Sequence, residues 1–170
     1  FVISGSLLDL KLTGMQGDVM KESMSVAKTL AWKLTPDEMK EKLIARFDKT
    51  KTQGVHIHCP DGATPKDGPS AGTAITVTLF SLLNDRKIKN TIAITGEMSL
   101  QGKVTAIGGL DLKILGGIQA GVKTFLFPQE NEKDFKKFME KNEKNPIVKG
   151  INFHAIETIQ QALEYALEEE

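Results

Sequence analysis

Cysteine is almost missing from this 170-residue sequence: Cys59 stands alone, so no internal disulfide can form and the chain fits a reducing compartment. Arginine is nearly as scarce, with only Arg46 and Arg86 among 22 basic residues, which disfavours a surface built for bidentate recognition of phosphates or bases. Net charge is absent too, since 22 acidic residues cancel the basic ones, leaving no global field to attract nucleic acid or an anionic membrane. No apolar run approaches the roughly 20 residues of a membrane-spanning helix, and no signal-peptide pattern is read. Nor does G-x-x-x-x-G-K-[ST] occur, so the segment carries no phosphate-binding loop of its own.

What remains is the balance of a globular domain, 40% hydrophobic and 26% charged, long enough to bury a core without disulfides or metal. The chain opens at Phe1 without Met and runs straight into strand-like residues, so a piece of a longer protein is expected, forming one domain over 1–170. Residues 1–12 alternate, with Leu8, Leu10 and Leu12 on one face, as in a half-buried strand. Asp18 is placed to cap a helix striped by Val19, Met20, Met24, Ala27, Leu30 and Ala31, and Pro36 to open a second whose stripe is Met39, Leu43, Ile44 and Phe47. Further on, the pattern predicts a strand at 55–59, a buried helix at 70–83 and a strand at 90–95. A hairpin over 98–107, turning at Gln101-Gly102, leads to a helix over 110–120 ended by Gly121. Strand 123–127, helix 129–141, strand 150–155 and helix 157–167 complete an alternating α/β order in one compact domain.

Two features can carry chemistry. Pro69-Ser70-Ala71-Gly72 follows a loop rich in Pro, Gly and Asp and opens an apolar segment, a place where free backbone N–H groups can hold an oxyanion. Taken alone, Ser70 reads first as a helix cap, with a nucleophile as the alternative. Lys113 is the second feature, in the first turns of the helix after Gly108-Gly109, with Leu110 and Gly117 on its face. A lysine base near neutral pH must fall from about 10.4 to roughly 7 or 8, some 3 to 5 kcal/mol of differential destabilisation, which desolvation can supply. An ordinary solvated lysine is the default reading. Gly116-Gly117 in mid-helix suggests close packing on another backbone.

Rival constellations fare worse. His56 and His58 face one side of their strand and Cys59 the other, so a thiol–imidazole pair fails locally and Cys59 reads as core. His56, His58 and His154 match no zinc spacing and lack an evident fourth ligand, so no metal is expected.

Taken together, the stretch His58-Cys59-Pro60-Asp61-Gly62-Ala63-Thr64-Pro65-Lys66-Asp67-Gly68-Pro69-Ser70-Ala71-Gly72, with Thr95-Gly96-Glu97, Gly108-Gly109-Leu110 and Lys113, closely resembles the proteolytic domain of the ATP-dependent Lon proteases. Ala120-Gly121-Val122-Lys123-Thr124, Pro128-Gln129-Glu130-Asn131, Thr13-Gly14 and the run from Gly17 to Ser23 extend the likeness over essentially the whole chain. The PKDGPSAG form is similar to the soluble A-type rather than the membrane-bound B-type. The resemblance implies the Lon protease fold, α/β and related to a ribosomal-protein-like fold. It also implies a serine endopeptidase with a Ser70–Lys113 dyad. Thr95 would steer the lysine and Asp67 would take part in switching between closed and open sites. His56 and His58 would give polar support, and Gly68, Ser70 and Ala71 oxyanion N–H groups, with Pro69 positioning only. It further implies unfolded polypeptide substrates, a homo-hexamer, and no cofactor in this segment, ATP and Mg²⁺ serving an AAA+ motor elsewhere in the parent. A bacterial cytoplasm is expected, or else a mitochondrial matrix, with no membrane and no nucleic acid as partner. Against this stand a noncatalytic docking or oligomerisation module of the same fold, and a nucleic-acid binder resting only on fold kinship and surface lysines.

Overall fold

The computed structural model describes residues 1–60 and 68–170. The elements run β1 (Leu10–Thr13), α1 (Asp18–Leu34), α2 (Asp37–Thr50), β2 (Val55–His58), α3 (Gly72–Asn84), β3 (Ile92–Ile94), β4 (Glu97–Met98), β5 (Val104–Thr105), α4 (Leu110–Gln119), β6 (Thr124–Pro128), α5 (Glu132–Asn142), β7 (Asn152–Ile156) and α6 (Ile159–Ala166). Parallel strands require crossovers of a dozen or more residues. Helices α1 and α2 supply one between β1 and β2, and α5 supplies one between β6 and β7. The sheets are small: a parallel pair β1–β2, a parallel trio in the order β3–β6–β7, and the antiparallel hairpin β4–β5. The expected α/β class and alternation hold.

Helices α1 and α3 form the centre. Ala27 and Ala31 on α1 are wholly buried, and such small residues let the helices approach closely; Leu79, Phe80 and Leu83 of α3 join Leu43 and Val55 in one apolar cluster. The opposite side of the same helices, through Leu30 and Val77, meets Leu126 and Ile156 of the β3–β6–β7 sheet and Ile159 of α6. A third cluster, with Leu110 and Ile114 on α4 against Phe125, Phe127 and Phe138, covers the outer face of that sheet.

Several boundaries differ from the sequence expectation. The first strand is confined to Leu10–Thr13 because Ser4 Oγ donates to the Ser6 carbonyl and Asp9 N to the same oxygen, turning the chain; Leu8 is buried in a left-handed conformation and Val2 bridges Gly54 instead. Gly17, not Asp18, occupies the cap of α1, and Asp18 is the first-turn acid that the helix dipole favours. Pro36 likewise stands at the cap of α2, outside its first turn. Val19 and Ile44 are exposed, since each lies at the margin of a helix that buries a narrow stripe. Helix α3 starts two residues late, leaving Pro69 and Ser70 in the preceding turn. Residues 129–131 form a 3₁₀ turn before α5 rather than its first turn. The Thr158 capping box with Gln161 sets the start of α6 after β7. Of the mid-helix glycines, Gly117 is the tight one, and what it meets is the Phe125 ring, 3.2 Å from where a Cβ would stand; Gly116 meets nothing.

Gly14 is where backbone approaches backbone. It has φ +96° and a Cβ there would stand 1.9 Å from the Cys59 carbonyl oxygen. Cys59 itself is half-buried and outside the three apolar clusters, so it is its backbone, which donates to Thr13 O at 3.1 Å, that packs, not its thiol. Gly14→Ala should therefore destabilise by about 3 kcal/mol through strain and clash. Gly116→Ala, in open space within a helix, should stabilise by about 0.5–1 kcal/mol. Denaturant titration of the two variants against wild type tests the pair, and equal midpoints for all three would contradict it.

Candidate active site

The Ser70 turn is held by the junction between β3 and β4. Gly96 N donates to the Ser70 carbonyl at 3.0 Å and Thr95 Oγ1 to the same oxygen at 3.4 Å. In return, Thr73 donates to the Gly96 carbonyl through both its N–H and its hydroxyl, each at 3.0 Å. Gly72 packs against Met98, its missing Cβ only 3.3 Å from that residue's nitrogen. Gly72 N closes the turn onto the Pro69 carbonyl. With Gly72 and Thr73 so engaged, the N–H groups of Ser70 and Ala71 donate to no acceptor among the described residues, and no side chain caps the helix. Two adjacent donors are thus left at the positive end of α3, beside the Ser70 side chain.

Lys113 lies one turn into α4. Gly109, left-handed at φ +69°, caps that helix without a side-chain bond, and Lys113 N donates to its carbonyl at 3.1 Å. Leu110 and Ile114, almost fully buried, seat α4 on Phe125 and Phe127; each such side chain contributes about 1.5–3 kcal/mol. That seating half-buries the neighbouring Lys113, and desolvation of the ammonium pushes its pKa below the ordinary lysine value. Lys113 makes no ion pair among the described residues, and no hydrogen bond joins its amine to the hydroxyl of Ser70 or Thr95 in this state. Buried Thr95 spends its hydroxyl on the Ser70 carbonyl.

His56 and His58 stand on one exposed face of β2, and both reach one atom: Thr13 Oγ1 lies 2.9 Å from His56 Nε2 and 2.8 Å from His58 Nδ1. A hydroxyl has a single proton to give, so at least one of the two rings must donate its N–H to Thr13. His154 is far from this pair in the fold, on β7, stacked on Tyr165 at 4.2 Å. No group of three His, Cys, Asp or Glu able to hold a metal occurs among the described residues. Asp67 lies outside the described residues.

Two contributors had no local signal. Thr13 and Asn131 act through side-chain bonds to residues 43, 45 and 24 positions away, which periodicity does not register. Asn131 is buried; its Oδ1 accepts from Ile107 N at 2.9 Å and its Nδ2 donates to Ile107 O at 2.8 Å. Both Asn131 and the Ser70 turn lie at the carboxyl ends of the β3–β6–β7 strands, where open parallel sheets place their sites.

Comparison with known proteins adds the family. The model of the Lon protease (S16) C-terminal proteolytic domain matches residues 2–169. The Lon protease of Haemophilus influenzae is 43% identical over 159 residues, covering 94% of this chain and 19% of that protein. The Lon protease of Treponema pallidum is 42% identical over 156 residues, 92% of this chain and 17% of that protein. A mitochondrial Lon protease homolog of Phaeodactylum tricornutum is 47% identical over 126 residues, 74% of this chain and 14% of that protein. The chain thus spans less than a fifth of the length of these curated relatives.

The state of Lys113 has a consequence for stability. Its folded pKa is below its unfolded one, so between the two values the unfolded chain holds more protons and stability rises with pH. Below that window the half-buried ammonium opposes folding. Lys113→Met should therefore be more stable than wild type at neutral pH, the gain shrinking as pH rises through the lowered pKa. Denaturant titrations at neutral and alkaline pH measure this difference, in which all other lysines cancel; a gap that is constant or widens with pH would refute it.

Proposed function

This chain belongs to the Lon protease (S16) family, in its C-terminal proteolytic domain, and from that premise we propose that it is a serine endopeptidase with Ser70 as nucleophile and Lys113 as general base. The observation that carries the reading is the pair of N–H groups of Ser70 and Ala71 that meet no acceptor among the described residues, on a turn whose carbonyl is tied to Gly96 and Thr95. Neutral Lys113 takes the Ser70 hydroxyl proton as Oγ bonds to the scissile carbonyl carbon. The new oxyanion lies on the N–H groups of Ser70 and Ala71. On collapse the C–N bond breaks, the Lys113 ammonium returns its proton to the leaving amine, and an acyl-Ser70 ester remains. Water, deprotonated by Lys113, then releases the acid and restores the hydroxyl.

Burial of Lys113 serves this chemistry, because a lowered pKa leaves more neutral amine at a given pH. Ser70 and Lys113 are not hydrogen-bonded to one another here, and the proton transfer needs them to close on substrate, as catalytic bonds often tighten in the Michaelis complex. In closing, the Thr95 hydroxyl exchanges its long bond to the Ser70 carbonyl for the Lys113 amine. Asp67 takes part in that switch, and the Thr13-linked His56 and His58 support the strand that leads into it. With Ser70 and Ala71 supplying two oxyanion donors, Gly68 is not needed as a third. Substrates are unfolded polypeptides, delivered in the parent by an ATP- and Mg²⁺-dependent AAA+ motor in a hexamer of the bacterial cytoplasm. The sequence contains no G-x-x-x-x-G-K-[ST] loop, so nucleotide belongs to another segment of the parent.

Cleavage of an unfolded casein substrate and labelling by a fluorophosphonate test the reading. Ser70→Ala and Lys113→Ala should each lower kcat/KM by about 10³-fold or more, and the probe should modify wild type at Ser70 and leave Ser70→Ala untouched. Turnover retained by either variant overturns the dyad; a wild-type chain that is neither active nor labelled favours a docking module instead.

A further inference from the structure

We propose that Asn131 is a positioning residue for this reaction: its buried side-chain amide clamps Ile107 and thereby fixes the start of α4, and with it the amine of Lys113, relative to the Ser70 turn. The inference rests on the dyad reading above. The approach to α4 cannot hold itself. Gly108 and Gly109 have nothing within 4 Å of where a Cβ would stand, and glycine leaves the backbone free to move. Packing closes in on this segment only in part: Ile107 and Leu110 join the third apolar cluster, but a cavity of about 520 Å³ lies between Ile107–Leu110 and the facing Asp134, Lys137 and Phe138 of α5.

Apolar contacts settle only part of the helix position. Leu110 and Ile114 form one stripe, which sets the depth of α4 on the sheet but resists sliding along its axis weakly. The clamp supplies the missing restraint. Asn131 offers Ile107 one acceptor and one donor, at 2.9 and 2.8 Å, the pair that a neighbouring strand would offer. Its own orientation is held by a further bond from Nδ2 to Asp134 Oδ2 at 2.8 Å. Glu130 adds a neighbouring hold, Oε1 accepting from Ala106 N at 3.0 Å. Because Asn131 follows β6 directly through the 3₁₀ turn, the helix that bears Lys113 is referenced to the sheet whose β3 end grips the Ser70 turn. A buried amide with all its partners in place is costly to replace, and a displacement of about 1 Å near reacting groups can cost about 10²-fold in rate.

The test compares wild type, Asn131→Asp, Asn131→Leu, Glu130→Ala and Lys113→Ala, each held below its own unfolding temperature with the folded fraction fixed by circular dichroism. Two readouts are taken: kcat and KM for the casein substrate, and the pH titration of Lys113 followed by its rate of reductive methylation. Asn131→Asp keeps the acceptor and loses the donor; Asn131→Leu loses both. Expected is a fall in kcat of about 10- to 100-fold for both Asn131 variants with KM within about twofold, and a smaller fall for exposed, fold-safe Glu130→Ala. The midpoint of Lys113 methylation should shift in the same order of variants. A merely structural role predicts lower unfolding temperatures with kcat per folded molecule and Lys113 titration unchanged, and that result overturns the clamp while leaving the dyad intact if Lys113→Ala is dead. Shifted Lys113 titration in the Asn131 variants with a fully active Lys113→Ala upholds the clamp and removes the dyad.

Discussion

One peptide unit, Gly96, joins the two halves of the site. Its N–H holds the Ser70 carbonyl, and its carbonyl receives both donors of Thr73. The turn before α3 and the end of β3 are thereby bound in both directions. A side chain at Gly96 would stand 2.6 Å from Val104 and 2.7 Å from the Thr73 hydroxyl, so the stitch demands a residue without one. Because Thr73 and Gly72 are consumed by this stitch and by the turn, the two donors beside them, on Ser70 and Ala71, meet no acceptor among the described residues. The donor-rich character of the turn is a remainder, set by which neighbours are already bonded.

The two chemical groups are mounted differently. Ser70 sits on a turn fixed by backbone bonds, which tolerate little displacement. Lys113 rides on a helix seated by apolar contacts and reached through two glycines, a mount with more freedom. The same seating that carries Lys113 to the sheet also strips water from its amine. Packing energy from Leu110 and Ile114 thus offsets the cost of holding a lysine half-buried, and that cost is what lowers the pKa of the amine.

How much of this could be read from residues alone depended on the range of the interaction. Helices α1, α3 and α4 and the hairpin β4–β5 carry their own periodicity or turn residues, and Gly121 ends α4 at φ +87° as expected. Ser70 stands at the entrance of α3, two residues before its start rather than inside it, because Pro69 reads locally as a first-turn residue while the Gly96 contact holds the turn outside the helix. Residues 129–131 read as helix on composition; the long-range bonds to Ile107 and Ala106 hold them in a 3₁₀ turn instead. Val19 and Ile44 fit an apolar stripe by spacing, yet a stripe does not reveal how wide a neighbour covers it. The last helix, expected over 157–167, is shortened to Ile159–Ala166 by the Thr158 capping box with Gln161.

The distribution of polar devices follows a common logic. Buried polar side chains are few, and Thr73, Thr95 and Asn131 all spend their groups on backbone at the carboxyl edge of the β3–β6–β7 sheet. Elsewhere the same sheet is enclosed by Phe, Leu and Ile on both faces. An apolar interior gives these bonds a low local dielectric, which strengthens each one that is made and penalises each one left open. The sheet edge is therefore rigid where its bonds are complete and reactive where they are not. At Ser70 and Ala71 two backbone donors meet no acceptor among the described residues, so the bonding on that part of the edge is left open to a group from outside.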